Sequence, residues 1–280
     1  MLRESLEYLA IRPDGIYADC TAGLGGHTMA IAERLTSGLV LSCDRDAESL
    51  EMARSNSADS SRIRFLKTSF ARVGETLAAE GFSQLDGLLA DLGASRYQLT
   101  SAERGFSFSA DGPLDMRQDR SQPGTAADLV NFESENQLAD LIYQFGEERR
   151  SRRIARAVVR ARPIKTTGQL AKLIEGAVPR TGKLHPATQT FMALRIAVNR
   201  ELEELDALLE SIPRLVKPGG RAVIITFMSL EDRRVKHAFQ AMARAGSAEI
   251  LTRHVVRPSE KEIAENAASR SAKLRAVQLS

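Results

Sequence analysis

Asp19-Cys20-Thr21-Ala22-Gly23-Leu24-Gly25-Gly26-His27 is a glycine-rich turn lying between an apolar segment, residues 15–19, and a helix-like segment, residues 28–35. Glycine at such a strand-to-helix turn lets the backbone approach a ligand that side chains would exclude. A second apolar segment, residues 39–43, ends at Asp44, whose carboxylate is placed to accept hydrogen bonds from ribose hydroxyls. The two features together predict a cofactor that carries a nucleoside.

Working outward, the chain keeps alternating. A helix over 46–56 precedes a strand at 63–67, and a helix over 71–80 precedes a strand at 85–91 that again ends in a carboxylate, Asp91. Such alternation predicts a parallel sheet with helices on both faces, and ligands in such sheets bind beyond the carboxyl ends of the strands. Asp19, Asp44 and Asp91 all fall at such ends. The rhythm stops near residue 100, where a loop punctuated by glycine and proline (105–124) leads into helices without a convincing strand. It resumes at Lys217-Pro218-Gly219-Gly220, read as a turn into the apolar strand 221–227. A helix over 230–245 and strand-like ends at 249–256 and 272–277 follow. The expected architecture is α/β, a Rossmann-like sheet built from 1–100 and 204–280 and interrupted by a helical insertion, 101–203.

Composition fits a soluble globular protein: 280 residues, 43% hydrophobic and 27% charged. No apolar run is long enough to span a bilayer. The opening MLRESLEYLAIRP lacks the apolar stretch of a signal peptide, so a cytoplasmic protein without membrane partners is expected. Cys20 and Cys43 are expected as free buried thiols, and no His/Cys cluster has the spacing of a metal site. The net charge is only +3, yet residues 149–165 hold seven arginines and one lysine. On a helix at about 100° per residue, Arg149, Arg153, Arg156 and Arg160 form one stripe opposite Ile154, Val158 and Ala161. Two readings of it stand at this stage, a solvated basic face and contact with phosphates, which the guanidinium fork suits.

A dinucleotide turn usually reads GxGxxG and receives a pyrophosphate. Here the order is Gly23-x-Gly25-Gly26-His27, without a third glycine, and carboxylates at the strand ends disfavour a diphosphate. S-adenosylmethionine has no phosphate, carries a sulfonium cation and offers ribose hydroxyls, so it fits better than NAD. The blocks DCTAGLGGH, CDRD (43–46), DLGAS (91–95) and AERGFSFSADGPLDMR (102–117) continue with GEERRSRRIARAVV (146–159) and HPATQTFMALRIAVNRELEEL (185–205). FMSLEDRRVK (227–236) and SRSAKLR (269–275) complete the set. Across almost the whole chain these blocks resemble the bacterial family of 16S ribosomal RNA cytidine N4-methyltransferases, which act on the decoding region of the small subunit.

The resemblance implies a class I methyltransferase fold, S-adenosylmethionine as cofactor, and 16S ribosomal RNA in the small ribosomal subunit as partner; it leaves a homodimer open. It implies cofactor contacts at Gly25, Gly26, His27, Asp44, Phe70, Asp91 and Gln98. The residues themselves point independently to Gly25, Gly26, Asp44 and Asp91. Phe70 alone reads as core, Gln98 as a polar loop residue and His27 as a hydrogen-bonding residue at a helix start.

Cytosine N4 is a poor nucleophile, because its lone pair is delocalised into the ring. Catalysis therefore needs alignment and a hydrogen-bond acceptor for the amino group. The Asp/Asn-Pro-Pro-aromatic turn that many amino-methyltransferases use is here Asp91-Leu92-Gly93-Ala94. The acceptor candidates are Asp91, Asp115 and Asn199. Asn199 falls with Thr188 and Arg195 on the polar border of a long helix whose buried stripe is Phe191, Leu194, Val198, Leu202 and Leu205. The chain departs from the family at Arg96-Tyr97, where Ser-Pro is usual, at Met228, where His is usual, and at residues 266–270, and the family usually has a short leader before the helix that here begins at Met1. The Met228 and Arg96-Tyr97 departures motivate an alternative, a ribosome-assembly RNA-binding protein with weakened or absent catalysis.

Overall fold

Short apolar segments bounded by turn residues become the strands of one sheet among the described residues. They are β1 (Ile16–Asp19), β2 (Leu39–Asp44), β3 (Ile63–Lys67), β4 (Leu85–Asp91), β5 (Val216–Thr226) and β7 (Lys273–Leu279), with the short β6 (Ala248–Ile250) between the last two in sequence. The computed structural model describes residues 1–57, 61–180, 182 and 184–280. It divides into one unit of Met1–Gly93 with Leu202–Ser280 and a second of Ala94–Glu201.

In the first unit the strand order is β3-β2-β1-β4-β5-β7-β6. Neighbours from β3 to β5 run parallel, and β7 is antiparallel to both β5 and β6. Helices α1 (Leu2–Leu9), α2 (Gly26–Ala32), α3 (Ala47–Asn56) and α4 (Val73–Ala79) intervene among the first strands. The chain goes outward from β1 to β3 and then returns to β4, so the order reverses between β1 and β4. That reversal opens a crevice at the carboxyl ends, where ligands of doubly wound sheets sit. β4 is buried on both faces, as a central parallel strand must be. Its Leu88 and Ala90 join one core with Leu41, Leu66, Ala222 and Ile224, while Leu89 joins the other with Tyr17, Val40, Val223 and Ile225.

The second unit begins with α5 (Arg96–Thr100) and continues through α6 (Ala126–Phe132), α7 (Glu135–Gly146), α8 (Ser151–Ala161), α9 (Thr167–Ala177) and α10 (Thr188–Asn199). Four of these helices start at capping boxes: Ser95/Gln98, Thr125/Asp128, Ser134/Gln137 and Thr166/Gln169. Each pair satisfies two backbone N–H groups that the first helical turn leaves open. The unit has its own core, with Leu114, Val130, Ile142, Ile154, Leu170 and Leu194 among its members. The first unit resumes along α11 (Glu201–Leu215), and α12 (Ser229–Arg244) and α13 (Glu260–Glu265) complete the helices.

Three expectations change. The single long helix expected through 188–205 is broken: Arg200 takes a left-handed conformation (φ 50°) and caps α10 before α11 begins. Lys217-Pro218-Gly219-Gly220 does not precede β5 but bulges out of it, between the Leu85–Val216 and Gly87–Arg221 pairings, with Gly219 at φ 77°. The strand expected at 249–256 stops at Ile250 and returns to the sheet only as a bridge from Val256 to Leu274.

Candidate active site

Asp19, at the end of β1, is fully buried and shapes the glycine turn. One of its oxygens accepts from the Thr21 N–H at 3.1 Å, and the other accepts from the Thr28 hydroxyl at 2.7 Å, itself 2.8 Å from the Ser42 hydroxyl. The Thr21 hydroxyl oxygen accepts from the Asp91 N–H at 2.7 Å, which ties the turn to β4. Asp19 thus braces the turn, while the other two strand-end carboxylates line the crevice. Thr21 and Thr28 escape a sequence reading, because their roles exist only once the turn has closed.

Within the turn, Gly25 has φ 89°, and a Cβ there would lie 3.4 Å from the backbone of Ala53. A Cβ on Gly26 would meet no atom within 4 Å. The left-handed backbone thus requires glycine at 25, while the space beside Gly26 is open.

Asp44 receives the Gly23 N–H on one oxygen and the Asp46 N–H on the other, both at 2.9 Å. An ionised carboxylate can accept about four hydrogen bonds, so capacity remains for two hydroxyls of a ribose. Burial pushes this carboxyl up to about 6, partly opposed by the two N–H bonds. Asp46 caps α3 through the N–H groups of Glu48 and Ser49.

His27 Nδ1 lies 3.7 Å from one Asp91 oxygen. The other Asp91 oxygen and His27 Nε2 are both buried and lack a hydrogen-bond partner. Burial raises the Asp91 carboxyl above the usual carboxylate range, with His27 working against the shift. Buried polar atoms without partners are rare enough in folded proteins that each calls for an explanation. An acceptor and a ring nitrogen left without partners at the carboxyl end of β4 and the start of α2 are groups that a polar, cation-bearing ligand could satisfy. Phe70 starts a short turn of 3-10 helix after β3, half-buried, with one side against the core. Cys20 and Cys43 are free and buried, and burial raises both thiols. Among the described residues no group of three His, Cys, Asp or Glu could hold a metal ion.

The remaining site residues fall in the second unit. Gln98 is buried, and its side chain closes the α5 capping box with Ser95. Asp115 is gripped by the Arg117 guanidinium at 2.7 and 2.9 Å; burial would raise its carboxyl, and these bonds overcome it and hold it below the usual range. Asn199 is fully buried, not on a solvent border. Its oxygen accepts from the Gln118 N–H at 2.7 Å, and its amide donates to the Met116 and Arg195 carbonyls, both at 2.8 Å. Arg104, also buried, donates to the Arg117 and Gln118 carbonyls, so the loop around Met116 (φ 60°) is clamped from two sides. On α8 the arginines are exposed as the periodicity requires, but the helix begins at Ser151, which leaves Arg149 in the preceding turn. Arg156 pairs with Glu135 at 3.3 Å.

The profile of the MraW methylase family matches residues 1–280. The chain belongs to this family. Among its relatives, a protein of Solibacter usitatus named ribosomal RNA small subunit methyltransferase H is 59% identical over 280 residues, covering 100% of this chain and 98% of its own length. A protein of the same name from Koribacter versatilis is 50% identical, over 98% of this chain and 91% of its own. Among solved structures, an rRNA methylase from Streptococcus thermophilus aligns with 99% of this chain and 94% of its own, at a TM-score of 0.45 and 12% identity. For this family member, the crevice of the first unit is the candidate active site, and no helix among the described residues is long and apolar enough to cross a membrane.

Proposed function

We propose that this methylase transfers a methyl group from S-adenosylmethionine to the exocyclic N4 of a cytidine in the decoding region of 16S ribosomal RNA, in the cytoplasm and on the small ribosomal subunit. The observation that carries the reading is the unpartnered Asp91 oxygen beside His27, at the reversal of strand order and next to the open side of Gly26. When bound, the cofactor supplies a methyl group made electrophilic by a sulfonium cation.

The chain's own residues do the rest. Asp44 holds ribose hydroxyls, Gly25 and Gly26 admit the ligand to the backbone, His27 hydrogen-bonds at the helix start, and Phe70 offers a flat apolar side to the adenine. Asp91 places negative charge where the cationic ligand sits, which favours its ionised form. Of the three acceptor candidates, Asp91 has an oxygen still to be filled, whereas Asp115 is held by Arg117 and the Asn199 oxygen by Gln118. Asp91 is therefore the favoured acceptor for the N4 hydrogens, which localises the lone pair for in-line attack. The target base must leave any stack to be reached, and a loop of RNA allows that more cheaply than a duplex. Arg149, Arg153, Arg156 and Arg160 are proposed to contact RNA phosphates.

The test is mass spectrometry of decoding-region RNA from small subunits that lack the modification, after incubation with the protein and S-adenosylmethionine. A gain of one methyl on cytidine N4 is expected. Absence of that gain with cofactor binding intact would sink the reading and favour the alternative motivated by Met228 and Arg96-Tyr97, an RNA-binding assembly protein. That alternative requires subunit binding unaffected by Asp44→Ala or Asp91→Ala.

A further inference from the structure

α12 carries two acidic residues, and both are turned inward. Glu231 is 3% exposed and accepts the N–H groups of Phe227 and Met228 at 3.0 and 3.2 Å. Asp232 faces β7, where Arg275 reaches it at 2.6 and 3.2 Å and Lys273 at 3.9 Å. Arg234 leans on Asp206 at 3.3 Å. What remains on the outer side is basic: Arg233, Lys236, His237 and Arg244 are exposed, and none has an ion pair among the described residues.

These four residues form a stripe. At about 100° per residue, Arg233, His237 and Arg244 lie within about 40° of one another, and Lys236 lies some 60° to one side of Arg233. Val235, Phe239 and Met242 occupy the buried side. Like charges one turn apart repel, and a merely solvating surface mixes the signs. The one apolar side chain larger than alanine beside the stripe is the half-buried Leu230 at its start, too little for the apolar face that a helix lying in a membrane interface needs. Its helix follows the carboxyl end of β5, the neighbour of β4 in the sheet that carries Asp44 and Asp91, and the stripe extends over about 16 Å.

We propose that the outer face of α12 is a track for the RNA backbone, binding phosphates next to the segment that delivers the target base. It is a contact on the catalytic unit itself, additional to the arginines of α8, and it rests on the reading of the substrate as RNA.

The experiment compares the wild type with a triple variant, Arg233→Gln, Lys236→Gln and Arg244→Gln, in methyl transfer to unmethylated small subunits at several salt concentrations. The variant is expected to raise KM for the subunit about tenfold or more, with the slope of log KM against log salt reduced by about two, as loss of three phosphate contacts to a single strand predicts. The kcat at saturating subunit and the calorimetric affinity for S-adenosylmethionine should stay within about twofold of the wild type, because charge on this face steers and holds RNA without touching the crevice. Arg233→Lys with Arg244→Lys should restore KM, because the charge is kept. A triple variant with a wild-type circular dichroism spectrum, KM and salt slope would overturn the track, as would Lys replacements as damaging as Gln. A wild type that methylates no subunit would overturn the RNA reading and the track with it. A wild type that methylates beside an unaffected variant would overturn the track alone.

Discussion

Asp44 and Asp91 are carboxyls whose ionisation the folded chain resists and a cationic, hydroxyl-bearing ligand rewards. Asp44 titrates at about 6, above the ordinary carboxyl value of 3.8, so its contribution to stability is present below the ordinary value and lost as pH rises through 6. For the ligand-free protein this loss is on the order of 2 kcal/mol, measurable by urea unfolding between pH 4 and pH 7. Ligand affinity should move the opposite way. S-adenosylmethionine should bind more weakly below pH 6 and release protons on binding near pH 6, seen by calorimetry in buffers of different ionisation enthalpy; a flat affinity between pH 5 and 8 would contradict this. Asn199 makes a second prediction at this scale. Asn199→Ala removes one acceptor and two donor bonds from a fully buried site, and should cost about 1–3 kcal/mol of unfolding free energy. Asn199→Asp should cost more than Ala, because it turns a buried carboxylate oxygen toward two carbonyls.

Adjacent glycines of one turn separate folding from binding at the level of the element. Gly25→Ala forces φ 89° on a residue with a Cβ and sets that Cβ against the Ala53 backbone, so it should lower the melting temperature by the equivalent of about 1–2 kcal/mol. Gly26→Ala meets no protein atom and lies in helical backbone, so stability should hold or rise while affinity for S-adenosylmethionine falls; thermal melting and calorimetry on the two variants check both statements. The same contrast explains what could be read in the chain beforehand. The first four apolar strands and the carboxylates that end β1, β2 and β4 are local patterns, and they stand where the sequence places them. The break at Arg200 was invisible, because nothing in Asn199-Arg200-Glu201 marks a left-handed residue. Pro-Gly-Gly at 218–220 suits a turn and a bulge alike, and only the pairing of β4 with β5 decides between them. Asn199 was read on a border since helical spacing shows its angle but not the loop that covers it.

At the scale of the whole molecule the core residues, among those described, fall into four clusters, one drawn from Leu114 to Leu194 and three from the flanking segments. Calorimetric unfolding should therefore resolve two transitions. S-adenosylmethionine at a hundred times its Kd should raise the transition of the sheet unit by about 2.7 kcal/mol and leave the helical one in place. A single transition, or a shift of both, would contradict that assignment. The order of the chain has one more consequence, for synthesis. Domains tend to fold as the chain emerges, at about 5–20 residues per second. The helical unit is contiguous and is complete once Glu201 has been made, whereas the sheet still awaits β5, β7 and β6 and the core residues Leu205 to Leu279. During translation the inserted helical unit thus finishes first, and the strands that carry the glycine turn, Asp44 and Asp91 wait, half a sheet with an open β4 edge, until β5 arrives to cover it.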